Sequence, residues 1–223
     1  MATNPMHQFT VFRIGPEIKI AGVDLSFTNA SLFMLLSALA VCGVLFLGTR
    51  EKKIIPDKLQ LISEMIYNFI AKMISDTAGT KAKPYFPFIF SLFMFVLFCN
   101  MLGMLPYSFT VTSHIIVTLI MAIFIFIAVT IIGFMKHGFG YLKLFVPSGV
   151  PMVLLPLITV IEIISYLSRP VSLSVRLFAN MMAGHTMLKV FGGFVISLGM
   201  LGGWLPLGFS VALTGLEILV AFL

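Results

Sequence analysis

Two arginines and a glutamate recur at seven-residue intervals in a segment that is otherwise mostly apolar. Glu162, Arg169 and Arg176 share one face of an α-helix, in which successive residues turn by about 100°. Ser172 and Asn180 flank Arg176 on the same stripe, four residues before it and four after it. If this segment crosses a membrane, the permanently charged guanidinium costs from about 3 to over 10 kcal/mol to bury. The pattern therefore predicts a fixed cation that meets a carboxylate.

Two carboxylates of this chain are possible partners of Arg176. Glu162 lies about 21 Å away along the helix axis, at 1.5 Å per residue, which is too far for a salt bridge. Glu217 could form a permanent structural pair with Arg176. We favour a carboxylate on another subunit, met transiently, because small residues near the arginine would let a second helix approach closely. These small residues are Ser172, Ser174, Ala179, Ala183 and Gly184.

Three further side chains near this stripe can take up and release protons, namely Glu162, His185 and Glu217. His185 lies nine residues beyond Arg176, about 13 Å along the axis and on the opposite helix face. Glu162 lies on the other side of Arg176, so the sequence predicts a proton path toward each membrane surface. Two simpler alternatives stay open. His185 could only hydrogen-bond a neighbouring helix, and Glu162 could be an interfacial acid or pair with Arg169.

The motifs of several other chemistries are missing from the sequence. The chain has two cysteines, and neither a CxxC motif nor a Cys/His cluster offers a metal site. It also lacks a GxxxxGK[ST] motif and a GxGxxG motif after a strand, so we expect no nucleotide and no cofactor on this chain. The net charge of +6 is not concentrated on a polar domain, which argues against nucleic acid as a partner.

The composition places these residues in a membrane. The 223 residues are 60% hydrophobic and 10% charged, whereas soluble domains carry about 25% charged residues. A span needs about 20 apolar residues, and the sequence predicts an all-α integral membrane protein with about five membrane-embedded helices. The predicted spans are Phe27–Gly48, Tyr85–Leu105, Ile115–Met135, a fourth that starts at Val150–Leu167, and Leu207–Leu223. The fifth ends without a charged or polar anchor, so we expect the last helix to be truncated.

A sixth segment, from Asp57 to Asp76, has a different pattern. Apolar residues recur at helical spacing, with polar residues on the other faces; the apolar set is Leu59, Ile62, Ile66, Phe69 and Met73. The pattern predicts an amphipathic helix on the membrane surface. A soluble connector is the alternative.

The distribution of Lys and Arg predicts the orientation. The connections after the first and third spans are basic, whereas the connection from Pro106 to Ser113 has no Lys or Arg. Basic connections stay on the cytoplasmic or matrix side. We therefore expect the N-terminus outside and the C-terminus inside, with residues 1–26 as an outer segment and residues 27–223 as a single membrane domain.

Three stretches of this sequence resemble one protein family. The run SRPVSLSVRLFANMMAGH resembles the signature helix of subunit a of the rotary F-type ATP synthase. The run CNMLGMLPYSFTVTSHI, from Cys99 to Ile116, and the final EILVAFL are similar to the same family. The resemblance extends from about Phe27 to the C-terminus.

The resemblance implies a proton-conducting stator subunit that has no catalytic activity alone. Arg176 matches the essential arginine that faces a ring of c subunits, each with a membrane-embedded carboxylate. His185 and Glu217 match the outer half-channel, Glu162 matches the inner half-channel, and Ser172 and Asn180 match polar neighbours of the arginine. Its implied partners are the c ring, the peripheral-stalk b subunits, membrane lipid and protons. The last two helices are expected to be long and tilted against the ring.

Two other functional classes are alternatives to the ATP synthase subunit. An ion-coupled secondary transporter would normally show an internal repeat of broken helices, and this sequence has none. The stator of another ion-driven motor is a closer alternative, but the long resemblance argues against it. Sodium in place of protons stays open. The absence of an Arg-rich and Ser-rich transit peptide favours a bacterium or an organelle-encoded gene. We expect a bacterial inner membrane, with the mitochondrial inner membrane as the alternative.

Overall fold

The computed structural model describes residues 9–15, 19–20, 23–24, 26–50, 57–105, 108–146 and 154–222. These residues form six α-helices, joined in part by 3₁₀ turns at Thr80–Tyr85, Val111–Ser113 and Gly138–Phe145. The helices are α1 (Asn29–Arg50), α2 (Lys58–Ala78), α3 (Phe86–Gly103), α4 (Ile115–His137), α5 (Leu155–Gly202) and α6 (Trp204–Phe222). Two antiparallel two-residue strands, β1 (Lys19–Ile20) and β2 (Val23–Asp24), precede α1.

Five of the six helices, all except α2, are long and apolar enough to cross a membrane. This finding confirms the predicted all-α membrane fold. Most large apolar side chains of these helices are exposed in the isolated chain, as expected where lipid replaces water as the solvent. The helices divide into two compact units, Met1–Val111 with Thr186–Leu223, and Thr112–His185. The predicted division at residue 26 stays a prediction.

The first unit is built around α3, in which Met94 and Leu97 are buried. Met94 of α3 and Ile70 of α2 are completely inaccessible to solvent. α3 packs against α1, α2 and α6, and the Asn100 amide donates a hydrogen bond to the Ala221 carbonyl at 3.5 Å. Before α1, the segment from Thr10 to Ile14 is tied to the start of that helix by the bridge between Arg13 and Thr28.

Hydroxyl groups join α4 to α5 in the second unit. The Thr118 and Ser174 hydroxyls lie 3.1 Å apart, and both residues are buried. Close to the C-terminus of α4, Gly133 faces the ring of Tyr141 from the following 3₁₀ segment. A Cβ atom at position 133 would overlap that ring, so this close approach requires glycine.

The apolar residues of α2 lie on more than one face. The structure confirms a helix here, with Asp57 at its N-cap. Its buried side is formed by Ile70 and Ile74, with Ile66 half-buried, whereas Ile62 and Phe69 of the predicted apolar set are exposed. One apolar face therefore packs on the protein, and the other is available to the lipid surface.

The fourth predicted span is a much longer helix than its first apolar run indicated. α5 has 48 residues and continues through Pro170 and the pair Gly192–Gly193. Its geometry changes only at Gly199, where φ is +61°, a left-handed value that favours glycine. The stretch between His185 and Leu207, which the sequence left unassigned, is therefore mostly helical.

Candidate functional site

The charged stripe of α5 lies on the outside of the chain. Arg176, Ser172 and Asn180 are exposed, and Glu162 is half-buried. The opposite side of the same helix is buried, with Ser174 1% and Met181 0% exposed. The helix thus turns its polar stripe outward and uses its small and apolar side chains for packing.

The guanidinium of Arg176 has no partner among the residues of its own unit that the structure describes. Across residues 112–146 and 154–185, the structure gives this side chain neither a hydrogen bond nor a salt bridge. The helix around it is apolar enough to span a membrane. An exposed, permanently charged group on such a helix needs a compensating anion from outside this unit.

Arg169 differs from Arg176 in its surroundings. Its guanidinium carbon lies 5.6 Å from the centre of the Tyr166 ring, within the range of a cation–π contact. Among the residues that it describes, the structure shows no salt bridge between Arg169 and Glu162. The pairing of these two residues stays a prediction.

The other two titratable candidates are buried. His185 is 7% exposed and ends the second unit. Glu217 is 3% exposed on α6 in the first unit, one helical turn before Ala221, whose carbonyl accepts the bond from Asn100. Burial at both positions excludes bulk solvent from side chains that can exchange protons, and each unit contributes one of them.

Two polar features of the spans were missed by the sequence reasoning. Asn100 of α3 is 1% exposed, and Tyr166 is 8% exposed with its hydroxyl hydrogen-bonded to Thr130 and Tyr141. A polar residue within an apolar span was the available signal for both. Tyr166 also lies four residues after Glu162 and three before Arg169, which places it between the two charges.

No metal centre competes with this assignment in the part of the chain that the structure describes. There, no group of three or more His, Cys, Asp or Glu side chains is close enough to hold a metal ion. The side chains of the stripe itself are two guanidiniums, Arg169 and Arg176, the carboxyl group of Glu162, and the polar groups of Ser172 and Asn180.

Comparison with known proteins identifies the family. The model of the family described as ATP synthase A chain matches residues 31–223. The chain is 78% identical over 223 residues to ATP synthase subunit a of Pelagibacter ubique (strain HTCC1062), covering 100% of this chain and 91% of that relative. It is 59% identical over 229 residues to ATP synthase subunit a of Rhizobium rhizogenes (strain K84), again covering 100% and 91%. It is 58% identical to the subunit of the same name from Chelativorans sp. (strain BNC1), covering 100% and 92%. With nearly the whole chain matched in each comparison, the protein belongs to the ATP synthase A chain family.

Proposed function

We propose that this chain is the proton-conducting stator subunit of a rotary ATP synthase, with Arg176 fixed between two half-channels. The observation that carries the proposal is the outward-facing Arg176. It has no anionic partner among the described residues of its own unit and lies on a helix apolar enough to span a membrane. Membership of the ATP synthase A chain family supports the same reading. The missing anion is then the carboxylate of a c subunit in the ring.

Arg176 would act as an electrostatic barrier. A carboxylate that passes the guanidinium is stabilised in its ionised form, since opposite charges at close range favour each other. A proton cannot then continue directly from one half-channel to the other. One charge crossing 100 mV is worth about 2.3 kcal/mol, and this free energy can drive rotation only if such a short circuit is absent.

The proton paths would approach the ring carboxylate from opposite sides. His185 and Glu217 are assigned to the outer path, and their burial suits transfer away from bulk solvent. Glu162 is assigned to the inner path and is half-buried. Ser172 and Asn180 share the exposed stripe with Arg176 and supply polar groups at the ring-facing surface.

In this scheme the chain makes and breaks no covalent bond, and ATP chemistry belongs to other subunits. The partners are the c ring, the peripheral-stalk b subunits, lipid and protons. We place the protein in the bacterial inner membrane, with the N-terminus outside and the C-terminus inside. The bacterial relatives and the basic connections after the first and third spans support this placement.

Substitution of Arg176 tests the proposal in the complete enzyme reconstituted into liposomes. Arg176→Ala should abolish ATP synthesis driven by a proton gradient and allow passive proton leak, because the barrier between the half-channels is lost. Arg50→Ala, which removes an exposed arginine at the end of α1, is the matched control and should retain synthesis. Normal synthesis by Arg176→Ala would refute the assignment.

A further inference from the structure

Three hydroxyl groups meet at one point between α4, α5 and the 3₁₀ segment Gly138–Phe145. The Tyr166 hydroxyl lies 2.7 Å from that of Thr130 and 2.9 Å from that of Tyr141. The Tyr166 ring is 8% exposed, although its neighbours Ser165 and Leu167 are exposed. Two other segments of the second unit, α4 and the 3₁₀ segment, therefore hold one side chain of α5.

The hydrogen bonds of this cluster have a defined direction. Thr130 donates its only hydroxyl proton to the Phe126 carbonyl at 2.7 Å. Its oxygen is then the acceptor for the proton of Tyr166, and the oxygen of Tyr166 accepts the proton of Tyr141. The series of hydrogen bonds ends at the backbone carbonyl of Phe126, which cannot pass a proton on. The cluster therefore holds Tyr166 in place and does not serve as a proton path.

Aromatic contacts fix the plane of the Tyr166 ring. Phe126 of α4 lies 4.8 Å from it between ring centres, and Phe145 meets it edge-on at 5.4 Å. The guanidinium of Arg169, one helical turn further along α5, lies 5.6 Å from the ring centre. A ring that cannot turn gives the cation a fixed surface, although Arg169 itself is on the exposed stripe.

We propose that Tyr166 is a positioning residue that retains the side chain of Arg169, so that only Arg176 is available to the carboxylate of the partner. The two arginines lie seven residues apart on one stripe, about 10 Å along the axis. A carboxylate passing this stripe would otherwise meet two long, mobile cations. If the guanidinium of Arg169 also reached this carboxylate, it would keep the carboxylate ionised at a position away from Arg176. The protonation of the carboxylate would then be delayed. This inference rests on the proposed function.

A double-mutant cycle in the complete reconstituted ATP synthase tests the role of Tyr166. Tyr166→Leu removes both the hydroxyl and the aromatic ring, and we expect it to slow gradient-driven ATP synthesis about two- to fivefold, the population change that one cation–π contact allows. Arg169→Gln should synthesise ATP at the normal rate. The double variant should recover the rate of Arg169→Gln, because no cation then remains to be released.

Rescue by Arg169→Gln separates positioning from a general structural role. A normal rate in Tyr166→Leu, or a double variant as slow as Tyr166→Leu, overturns the inference. If Tyr166→Leu does not assemble, Tyr166→Phe and Tyr141→Phe carry the test, since each keeps its ring and removes one hydroxyl of the chain. Each of these two variants should slow ATP synthesis less than Tyr166→Leu does, and the slowing should disappear when Arg169→Gln is added. Equal slowing with and without Arg169→Gln overturns the inference.

Arg176→Ala in the same preparation keeps the two hypotheses distinguishable. If Arg176→Ala abolishes synthesis while Tyr166→Leu has no effect, only the positioning role of Tyr166 fails. If Arg176→Ala synthesises ATP normally, the proposed function itself fails.

Discussion

Arg169 and Arg176 have the same side chain and share one stripe of α5, yet the contacts of their guanidinium groups differ. Arg169 contacts the ring of Tyr166, whereas Arg176 has no such partner within residues 112–146 and 154–185. The seven-residue spacing was visible in the sequence, and it placed both residues correctly on an exposed face. Their difference was not visible, because Thr130 and Tyr141, which hold Tyr166, are 36 and 25 residues away from it in the chain.

Glu217 is the residue for which a single-atom change is most informative. Glu217→Gln keeps the shape of the side chain but cannot take up or release a proton. Proton flow through the membrane sector should therefore fall about a hundredfold, the lower end of what a positioned proton-transfer group contributes. Passive flux into liposomes, measured after removal of the soluble catalytic sector, reports this directly.

The control for Glu217→Gln is Glu64→Gln. Glu64 is exposed on α2 and accepts a hydrogen bond from Gln60 at 2.8 Å. Its substitution should leave the flux unchanged. Unchanged flux in Glu217→Gln over a wide pH range would remove Glu217 from the proton path.

At the scale of the helices, hydropathy predicted the membrane spans, but it did not predict which helix faces pack on the protein and which are exposed. Five apolar runs became five helices because each is long enough to satisfy its backbone internally within lipid. In α2, however, the pattern could not separate Ile70 and Ile74, which pack on the protein, from Phe69 and Ile62, which are exposed. Lipid and a protein core are equally apolar, so periodicity alone does not distinguish the two faces.

The turn after α4 depends on one glycine. Gly133→Ala would place a Cβ atom against the ring of Tyr141, and overpacking of this kind costs about 1–3 kcal/mol. We expect the segment Gly138–Phe145 to detach more often and to be cleaved faster by chymotrypsin in membrane vesicles that expose this side.

Gly193→Ala provides the comparison for Gly133→Ala. Position 193 lies within α5, and there is open space where the Cβ atom of an alanine would lie. Alanine there should leave cleavage of the segment unchanged, as alanine is the better helix former. Equal cleavage of the two variants would show that the contact between Gly133 and Tyr141 does not hold the turn.

At the scale of the whole molecule, the chain is one part of a larger assembly. The family relation and the outward charges of α5 both indicate that its main functional surface is completed by another protein. The sequence could predict which residues form the stripe, since helical spacing fixes which residues share a face. It could not predict how far the partner approaches, because that distance depends on side chains of a different chain.

Disulfide cross-linking to the ring tests which face of α5 is presented to it. In a complex otherwise free of cysteine, a cysteine in place of Asn180 should cross-link to one near the carboxylate of the c subunit, because Asn180 is exposed on the stripe. A cysteine in place of Met181, which is 0% exposed, should not. Efficient cross-linking at 181 and none at 180 would mean that the opposite face of the helix meets the ring.

The length of α5 has a consequence for its orientation in the membrane. The 31 residues from Leu155 to His185, which lie in one unit, correspond to about 46 Å at 1.5 Å per residue, against a hydrocarbon core of about 30 Å. A helix longer than the hydrocarbon core is accommodated by tilt, by a kink or by local thickening of the bilayer. We therefore expect this segment to lie at an angle to the membrane normal. A tilted stripe is displaced sideways along its length, so Glu162 and Arg176 would face different lateral positions of a partner that moves past the helix.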